Sequence, residues 1–201
     1  MTLIEQQETE LLRWQHMSDD LPKRPARRAK LTIFLTGANG YLGTQILRRL
    51  LEREDVKRVI TLVRGNSIDT ARKRVIEAAR KGLWWTDFHG EKLEVWKGDL
   101  GMPNLGLTDG EWNTLADGNS IDIIIHNGAI VNWNKGYAAL EAVNVRSTVQ
   151  LTALAIRNPN LKFTFISGGR QCRSADELDE DVARELSKAM GYSQSKALPA
   201  R

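Results

Sequence analysis

A tyrosine and a lysine near the end of the sequence have types and a spacing that could do chemistry. Tyr192 and Lys196 stand four residues apart in GYSQSKALPAR, residues 191–201. A helix places positions i and i+4 on one face, so the phenol and the ammonium would be neighbours. A phenol with a pKa of about 10 is a poor proton donor to a developing alkoxide, and a nearby ammonium lowers that pKa. The pair predicts general acid catalysis at a carbonyl oxygen, although the same spacing is also common by chance.

A glycine-rich segment near the start predicts a phosphate-binding turn. TGANGYLG, residues 36–43, follows an apolar run and precedes a segment of helical period. Gly37 permits a tight turn, Gly40 lets the backbone approach a pyrophosphate, and Gly43 lets the helix pack closely on the strand. The helix N-terminus then offers free N–H groups to the phosphates. The alternative is a tight strand-to-helix turn without a ligand. The other residues of the segment predicted to contact a dinucleotide are Ala38, Asn39, Tyr41 and Leu42.

Two charged residues at the ends of predicted strands bear on which dinucleotide is bound. Arg64 ends the run LVR, where an NAD-binding domain usually offers a carboxylate to the ribose hydroxyls. A guanidinium cannot accept from a diol but can bind a 2′-phosphate, so NADP (NADPH) is the predicted cofactor, unless Arg64 merely ends a strand in solvent. Asp99, followed by Leu100, either accepts from the adenine amine or bonds its own backbone in a turn.

Short apolar runs alternate along the chain with segments of helical period, and these elements must position the residues above. The predicted strands are residues 31–36, 56–64, 92–99, 121–129 and 161–167. The predicted helices are residues 41–53, with Leu42, Ile46, Leu50 and Leu51 on one face, and 68–85, 140–158 and 176–190. This alternation predicts an α/β fold, a Rossmann-type doubly wound parallel sheet of strand order 3-2-1-4-5. We expect the last strands of such a sheet to be missing from this sequence.

Composition limits the class of protein and its organisation. The 201 residues, 41% of them hydrophobic, suffice for one domain, and no run is long enough for a membrane helix. The single cysteine, Cys172, excludes an internal disulfide and a cysteine-rich zinc site, so we expect a cytoplasmic protein without a metal. Residues 1–30 are predicted to form a helix from Leu3 to Trp14 and a basic linker, and residues 31–201 the NADP-binding domain. The basic run KRPARRAK is more typical of a solvated linker than of a nucleic-acid arm.

These motifs together resemble those of a known family. LTGANGYLG, LVRG, KGLWW, WKGDLGMPNLGLTDGEW and, most specifically, HNGAIVNW (residues 126–133) are similar to the NADP-dependent thioester reductase domains of nonribosomal peptide synthetases and polyketide–peptide hybrid synthases. That family belongs to the extended short-chain dehydrogenases/reductases, and the resemblance runs from about Leu31 to Lys196. It implies an oxidoreductase of secondary metabolism. The implied partner is an acyl thioester on a carrier protein or multidomain synthase, which would be reduced to an aldehyde or alcohol.

The resemblance also implies roles for residues after the fourth strand. Asn127, Gly128 and Ala129 would line the nicotinamide side of the cofactor. Asn144 matches an asparagine that steadies the active-site backbone, and the alternative is an amide on a helix surface. His126 follows three isoleucines, so we expect it to be a packed, hydrogen-bonded histidine rather than a catalytic one.

The resemblance implies that Tyr192 and Lys196 are the catalytic residues and that Lys196 also holds the nicotinamide ribose. The sequence departs from the family pattern in two ways that bear on this catalysis. The family usually has a hydroxyl residue after the serine that ends the fifth strand, but here Gly168 follows, which leaves Ser167 as the candidate donor to the carbonyl oxygen. The family also continues into a substrate lobe beyond Lys196. We therefore expect cofactor binding without appreciable thioester reduction, and self-association through an unpaired fifth strand. The alternatives are an inactive or partner-dependent nucleotide-binding remnant and a non-reductive release or cyclisation domain.

Overall fold

The protein is described by a computed structural model for residues 30–167, 180, 183–184 and 190–197. The predicted N-terminal helix and nearly all of the basic linker lie outside these residues. So do Gly168 and most of the helix predicted over residues 176–190.

A five-stranded parallel sheet forms the centre of the domain. Its strands are β1 (Leu31–Thr36), β2 (Val56–Val63), β3 (Leu93–Lys97), β4 (Ile123–His126) and β5 (Lys162–Phe165). The spatial order is β3-β2-β1-β4-β5, and each neighbouring pair is parallel. The predicted doubly wound topology is therefore confirmed. β4 is shorter than predicted, because the residues after His126 leave the sheet and form a loop at its carboxyl edge.

Helices connect the strands and cover both faces of the sheet. They are α1 (Tyr41–Leu51), α2 (Ile68–Lys81), α3 (Asp109–Ala116), α4 (Tyr137–Glu141), α5 (Ser147–Arg157) and α6 (Gly191–Ala197). A π-helical turn, Ala142–Arg146, joins α4 to α5, so the helix predicted over residues 140–158 is one helix with a π turn inside it. Helix α3 was not predicted from the sequence, and its start is fixed by a reciprocal capping box between Thr108 and Glu111. No helix within the described ranges is long and apolar enough to cross a membrane.

The apolar core lies on the two faces of β1, all six residues of which are buried. Ile33 and Leu35 pack on one face with α1 and α2, whereas Phe34 packs on the other face with residues of α3 and α5. Burial on both faces explains why β1 is a continuous apolar run rather than an alternating one. The central strand is thereby fixed, and the residues that follow it are held at the carboxyl edge of the sheet.

The apolar face predicted for α1 is partly wrong. Leu42 is 49% exposed, and the buried stripe instead runs through Gly43, Leu47 and Leu51. The reason is the close approach at Gly43, where a methyl group would overlap the carbonyl group of Gly37. This contact sets the rotation of the helix about its axis, and the rotation turns Leu42 toward the carboxyl edge of the sheet.

Candidate functional site

A cleft of about 440 Å³ opens at the carboxyl ends of the strands. It lies where the connections after β1 and β4 diverge to opposite sides, the usual ligand position in open α/β sheets. Most of the predicted site residues line it: Gly37, Asn39, Gly40, Tyr41, Leu42, Arg64, Asp99, Leu100, Asn127, Gly128, Ala129, Ser167, Tyr192 and Lys196. Ala38, Gly43 and Asn144 do not line the cleft but are buried behind it.

The glycine loop between β1 and α1 has the backbone that the sequence predicted. Gly37 has φ +71°, and a Cβ there would lie 2.7 Å from the Cα atom of Gly128, so only glycine fits. Gly40 is the N-cap of α1, and among the described residues no side chain caps this helix end and no acidic residue lies in its first turn. The first-turn N–H groups therefore meet the cleft without an internal acceptor. This arrangement fits the pyrophosphate of a dinucleotide.

Two arginines line the end of the cleft beside β2. Arg64 follows the last residue of β2 and is exposed, and its carbonyl oxygen accepts a hydrogen bond of 2.6 Å from Nη1 of Arg74. Arg74 lies on the exposed side of α2 and was not predicted as a site residue. No sequence signal could have found it, because hydrophobic periodicity marks only the buried face of a helix. A pair of guanidinium groups fits a phosphate ester better than a neutral ribose diol.

Asp99 takes the turn conformation that was one of its two predicted roles. Its Oδ1 atom accepts a hydrogen bond of 2.9 Å from the backbone N–H of Gly101. Asp99 and the adjacent Leu100 also line the cleft. The contact of Asp99 with an adenine amine stays a prediction.

His126, the last residue of β4, is fully buried in a hydrogen-bonded network, which confirms the packed role predicted for it. Thr148 donates its hydroxyl proton to the carbonyl oxygen of Asn144, so its Oγ1 accepts from Nε2 of His126 at 3.0 Å. Nδ1 is then the acceptor for the Thr36 hydroxyl at 2.8 Å. Burial, reinforced by the charge of Lys196, lowers the pKa of His126 to about 3, so the imidazole is neutral.

The same network fixes the backbone of the cleft. The Thr36 hydroxyl oxygen accepts a hydrogen bond of 2.9 Å from the N–H of Gly128. The side-chain amide of Asn127 donates to the carbonyl oxygen of Gly37 at 3.3 Å. The loop after β4 is therefore tied by hydrogen bonds to the end of β1 and to the glycine loop that follows it.

Asn144 lies in the π turn and is 1% exposed, so the alternative of a helix-surface amide is wrong. Its Oδ1 accepts from the N–H of Ile130 at 2.7 Å, and its Nδ2 donates to the carbonyl oxygen of Ile130 at 3.0 Å. Nδ2 also lies 3.0 Å from Oγ of Ser195, whose hydroxyl donates to the carbonyl oxygen of Tyr192. Asn144 thus connects the loop after β4 to the helix that carries Tyr192 and Lys196. Ser195 was not predicted, because nothing in its spacing distinguishes it from a surface serine.

Tyr192 and Lys196 lie on α6, and both line the cleft together with Ser167. The indole ring of Trp133 packs against the phenol ring in an edge-to-face arrangement, with ring centroids 4.6 Å apart. Lys196 is buried and donates a hydrogen bond of 2.8 Å to the carbonyl oxygen of Ile166. The sequence had predicted that the ammonium lowers the pKa of the phenol, but burial raises the pKa of Tyr192. The physical reason is that the ammonium is directed toward Ile166 while the phenol packs against Trp133.

Two residues beside the cleft belong to a motif that the sequence singled out, but neither was predicted as a site residue. Trp133 and Val131 both belong to HNGAIVNW, and they are 57% and 66% exposed beside the cleft. Their exposure is visible only in the fold, so the sequence carried no signal of their role beyond their place in this motif. Within the described part of the chain, no cluster of three or more His, Cys, Asp or Glu side chains could hold a metal ion.

Comparison with known proteins agrees with this geometry. Residues 35–199 match the model of an NAD-binding family described as Male sterility protein. The chain is 57% identical over 166 residues to the peramine synthetase of Metarhizium rileyi, and 53% identical over 166 residues to D-lysergyl-peptide-synthetase subunit 3 of Claviceps purpurea. These alignments cover 82% of this chain but only 6% and 9% of the two synthetases.

Solved structures of reductase domains share the fold. The terminal R domain from the myxalamid PKS-NRPS pathway superposes with a TM-score of 0.74 at 27% identity, over 94% of this chain and 50% of that one. The PhqB reductase domain from Penicillium fellutanum gives a TM-score of 0.67 at 35% identity, over 94% of this chain and 47% of that one. The chain spans about half the length of these domains. The chain therefore belongs to the NAD-binding family described as Male sterility protein, and it shares its fold with the reductase domains of nonribosomal peptide synthetases.

Proposed function

We propose that this chain binds NADPH and serves the reduction of an acyl thioester, held on a carrier protein of a multidomain peptide synthetase, to an aldehyde or alcohol. One observation carries the proposal. The candidate proton donor Tyr192, Lys196 and Ser167 lie in the same cleft as the glycine loop and the arginine pair. Acid–base groups and a dinucleotide site in one cleft are what a carbonyl reductase requires.

NADPH is proposed rather than NADH because of the two arginines. A 2′-phosphate distinguishes the two cofactors, and Arg64 and Arg74 are joined at that end of the cleft by the 2.6 Å hydrogen bond. Two guanidinium groups supply several charge-assisted donors to a phosphate, whereas they offer no acceptor to a ribose hydroxyl.

The bound cofactor would supply a hydride to the carbonyl carbon of the thioester. Tyr192 would donate its phenolic proton to the carbonyl oxygen, which becomes a hydroxyl group. Cleavage of the C–S bond then turns the hydroxyl group into the carbonyl of an aldehyde, and the proton that the hydroxyl loses goes to the leaving sulfur, which departs as the carrier thiol. Lys196 would hold the nicotinamide ribose, as the family resemblance implies, and the Ser167 hydroxyl would donate a hydrogen bond to the same carbonyl oxygen.

The test has a binding arm and a turnover arm. We expect calorimetry to show that this chain binds NADPH. We expect the full-length protein encoded by the gene to oxidise NADPH when a carrier-bound acyl thioester is added. The Tyr192→Phe variant should not oxidise NADPH under the same conditions. Tyr137→Phe is the matched control, because it removes a phenol from α4 outside the cleft. Binding without oxidation would favour a nucleotide-binding protein, and product release without oxidation would favour non-reductive cyclisation.

A second copy of the chain is proposed as a further partner. β5 is paired on one side with β4 in the described sheet, and strand edges readily pair with other chains. We expect light scattering to show concentration-dependent association that Thr164→Lys reduces, since Thr164 is exposed and a lysine on an edge strand disfavours pairing with another chain. A monomer at all concentrations would contradict this partner without bearing on the cofactor.

A further inference from the structure

The ammonium group of Lys196 lies in an unusual environment for a positive charge. The residue is 6% exposed, and its Nζ donates to the carbonyl oxygen of Ile166 at 2.8 Å. The same Nζ lies 4.2 Å from the centroid of the Phe165 ring, over its face. Burying an ammonium is costly unless its charge is compensated, so these contacts must offset a loss of hydration.

The Phe165 ring is itself held in place. It stacks with the imidazole of His126, with centroids 5.7 Å apart and planes 23° apart. Phe163, two residues earlier on β5, stacks with the same imidazole at 6.5 Å and 28°. His126 is fixed by its hydrogen bonds to Thr36 and Thr148, so the two phenylalanines rest on a rigid base.

We propose that Phe165 is a positioning residue whose ring face holds the Lys196 ammonium beside the cleft by a cation–π interaction. The effect of this contact on NADPH binding rests on the proposed function, whereas its effect on stability does not. A ring face attracts a cation electrostatically. Unlike a carboxylate, it does not cancel the positive charge, so Lys196 stays a cation beside the cleft.

Phe163 provides a matched control for this role. It has the same side chain, lies on the same strand and stacks on the same imidazole, but it is Phe165 whose ring lies under the ammonium. A purely structural role in supporting His126 would be shared by both phenylalanines. A role in holding Lys196 would belong to Phe165.

The test is a double-mutant cycle with Phe165→Leu and Lys196→Met, measured by urea unfolding without cofactor and by calorimetry with NADPH. We expect Phe165→Leu to weaken NADPH binding about three- to thirtyfold in the parent chain and to have little effect in Lys196→Met, because the cation is then absent. We expect the unfolding equilibrium constants to show coupling of the same order. Phe165→Tyr keeps an aromatic ring, so it should match the parent chain in NADPH binding and in unfolding. Phe163→Leu should show no coupling to Lys196.

The outcomes separate the contact from the proposed function. Additive effects of Phe165→Leu and Lys196→Met on unfolding, or equal coupling for Phe163, would overturn the proposal. Coupling in unfolding together with no NADPH binding by the parent chain would support the contact and contradict the proposed function. If Phe165→Leu does not fold, the cycle is run with Phe165→Met, which also removes the ring.

Discussion

Replacing Arg64 with alanine should lower the preference of this chain for NADPH over NADH about tenfold. Arg64 stands at the end of β2, exposed, with its backbone tied to Arg74 by a hydrogen bond of 2.6 Å. Both residues line the cleft. The cofactors differ by the 2′-phosphate alone, so the ratio of their dissociation constants reports the phosphate contacts directly.

The size of the effect follows from the exposure of the two arginines. A hydrogen bond to a charged group contributes about 1.5–3 kcal/mol, and solvent screening favours the lower end of that range. One such contact corresponds to about a tenfold preference, and contacts from both arginines to about a hundredfold. The preference of each single alanine variant for NADPH should therefore be about tenfold smaller than that of the parent chain, and the double variant should bind both cofactors about equally.

Calorimetry with both cofactors, at low and at high salt, measures this ratio. The preference should shrink at 1 M salt, where the Debye length falls to about 3 Å. Arg80→Ala is the matched control, because Arg80 is an exposed arginine of α2 that does not line the cleft. Equal affinities for NADPH and NADH in the parent chain would refute the reasoning. A preference that survives in the double variant would refute the assignment to these two residues.

Three further predictions concern the residues around the cleft. The pKa of His126 falls from 6.5 to about 3 on folding, so between these pH values the unfolded chain binds a proton that the folded chain does not. The unfolding free energy measured in urea should therefore decrease by up to about 1.4 kcal/mol per pH unit as the pH falls from 6.5 to about 3. A His126→Gln variant with an equally steep pH dependence would contradict this. Asn144→Ala should lower the unfolding free energy by about 1–3 kcal/mol, because it leaves the partly buried N–H and carbonyl groups of Ile130 without their partner. A change below 0.5 kcal/mol in urea unfolding, within the range of ordinary surface substitutions, would count against it. Trp133→Ala should slow the proposed reduction about three- to tenfold by freeing the Tyr192 ring, with Trp133→Phe near the parent rate; equal rates for all three proteins in the NADPH oxidation assay would show that the indole does not position the phenol.

The sequence alone was sufficient for the sheet, because its determinants are local. Each strand is a short apolar run, each run is followed by a segment of helical period, and right-handed connections then leave few possible topologies. The turn at Gly37 was equally predictable, since a tight turn between a strand and a helix requires a positive φ. The sequence also predicted that His126 would be packed, because three isoleucines precede it in a central strand.

Only the tertiary structure decided how side chains from different elements meet. The contact between Gly43 and the carbonyl group of Gly37 decided which face of α1 is buried, and no hydrophobic pattern in the sequence contains this contact. Arg74 reached the cleft because α2 packs with that exposed side chain above the end of β2. The pKa of Tyr192 moved opposite to the expected direction, because a spacing of four residues places two side chains on one helix face but does not fix their rotamers. Trp133 packs against the Tyr192 ring, and the Ile166 carbonyl oxygen and the Phe165 ring contact the Lys196 ammonium. These contacts, between residues far apart in sequence, set the directions of the two side chains.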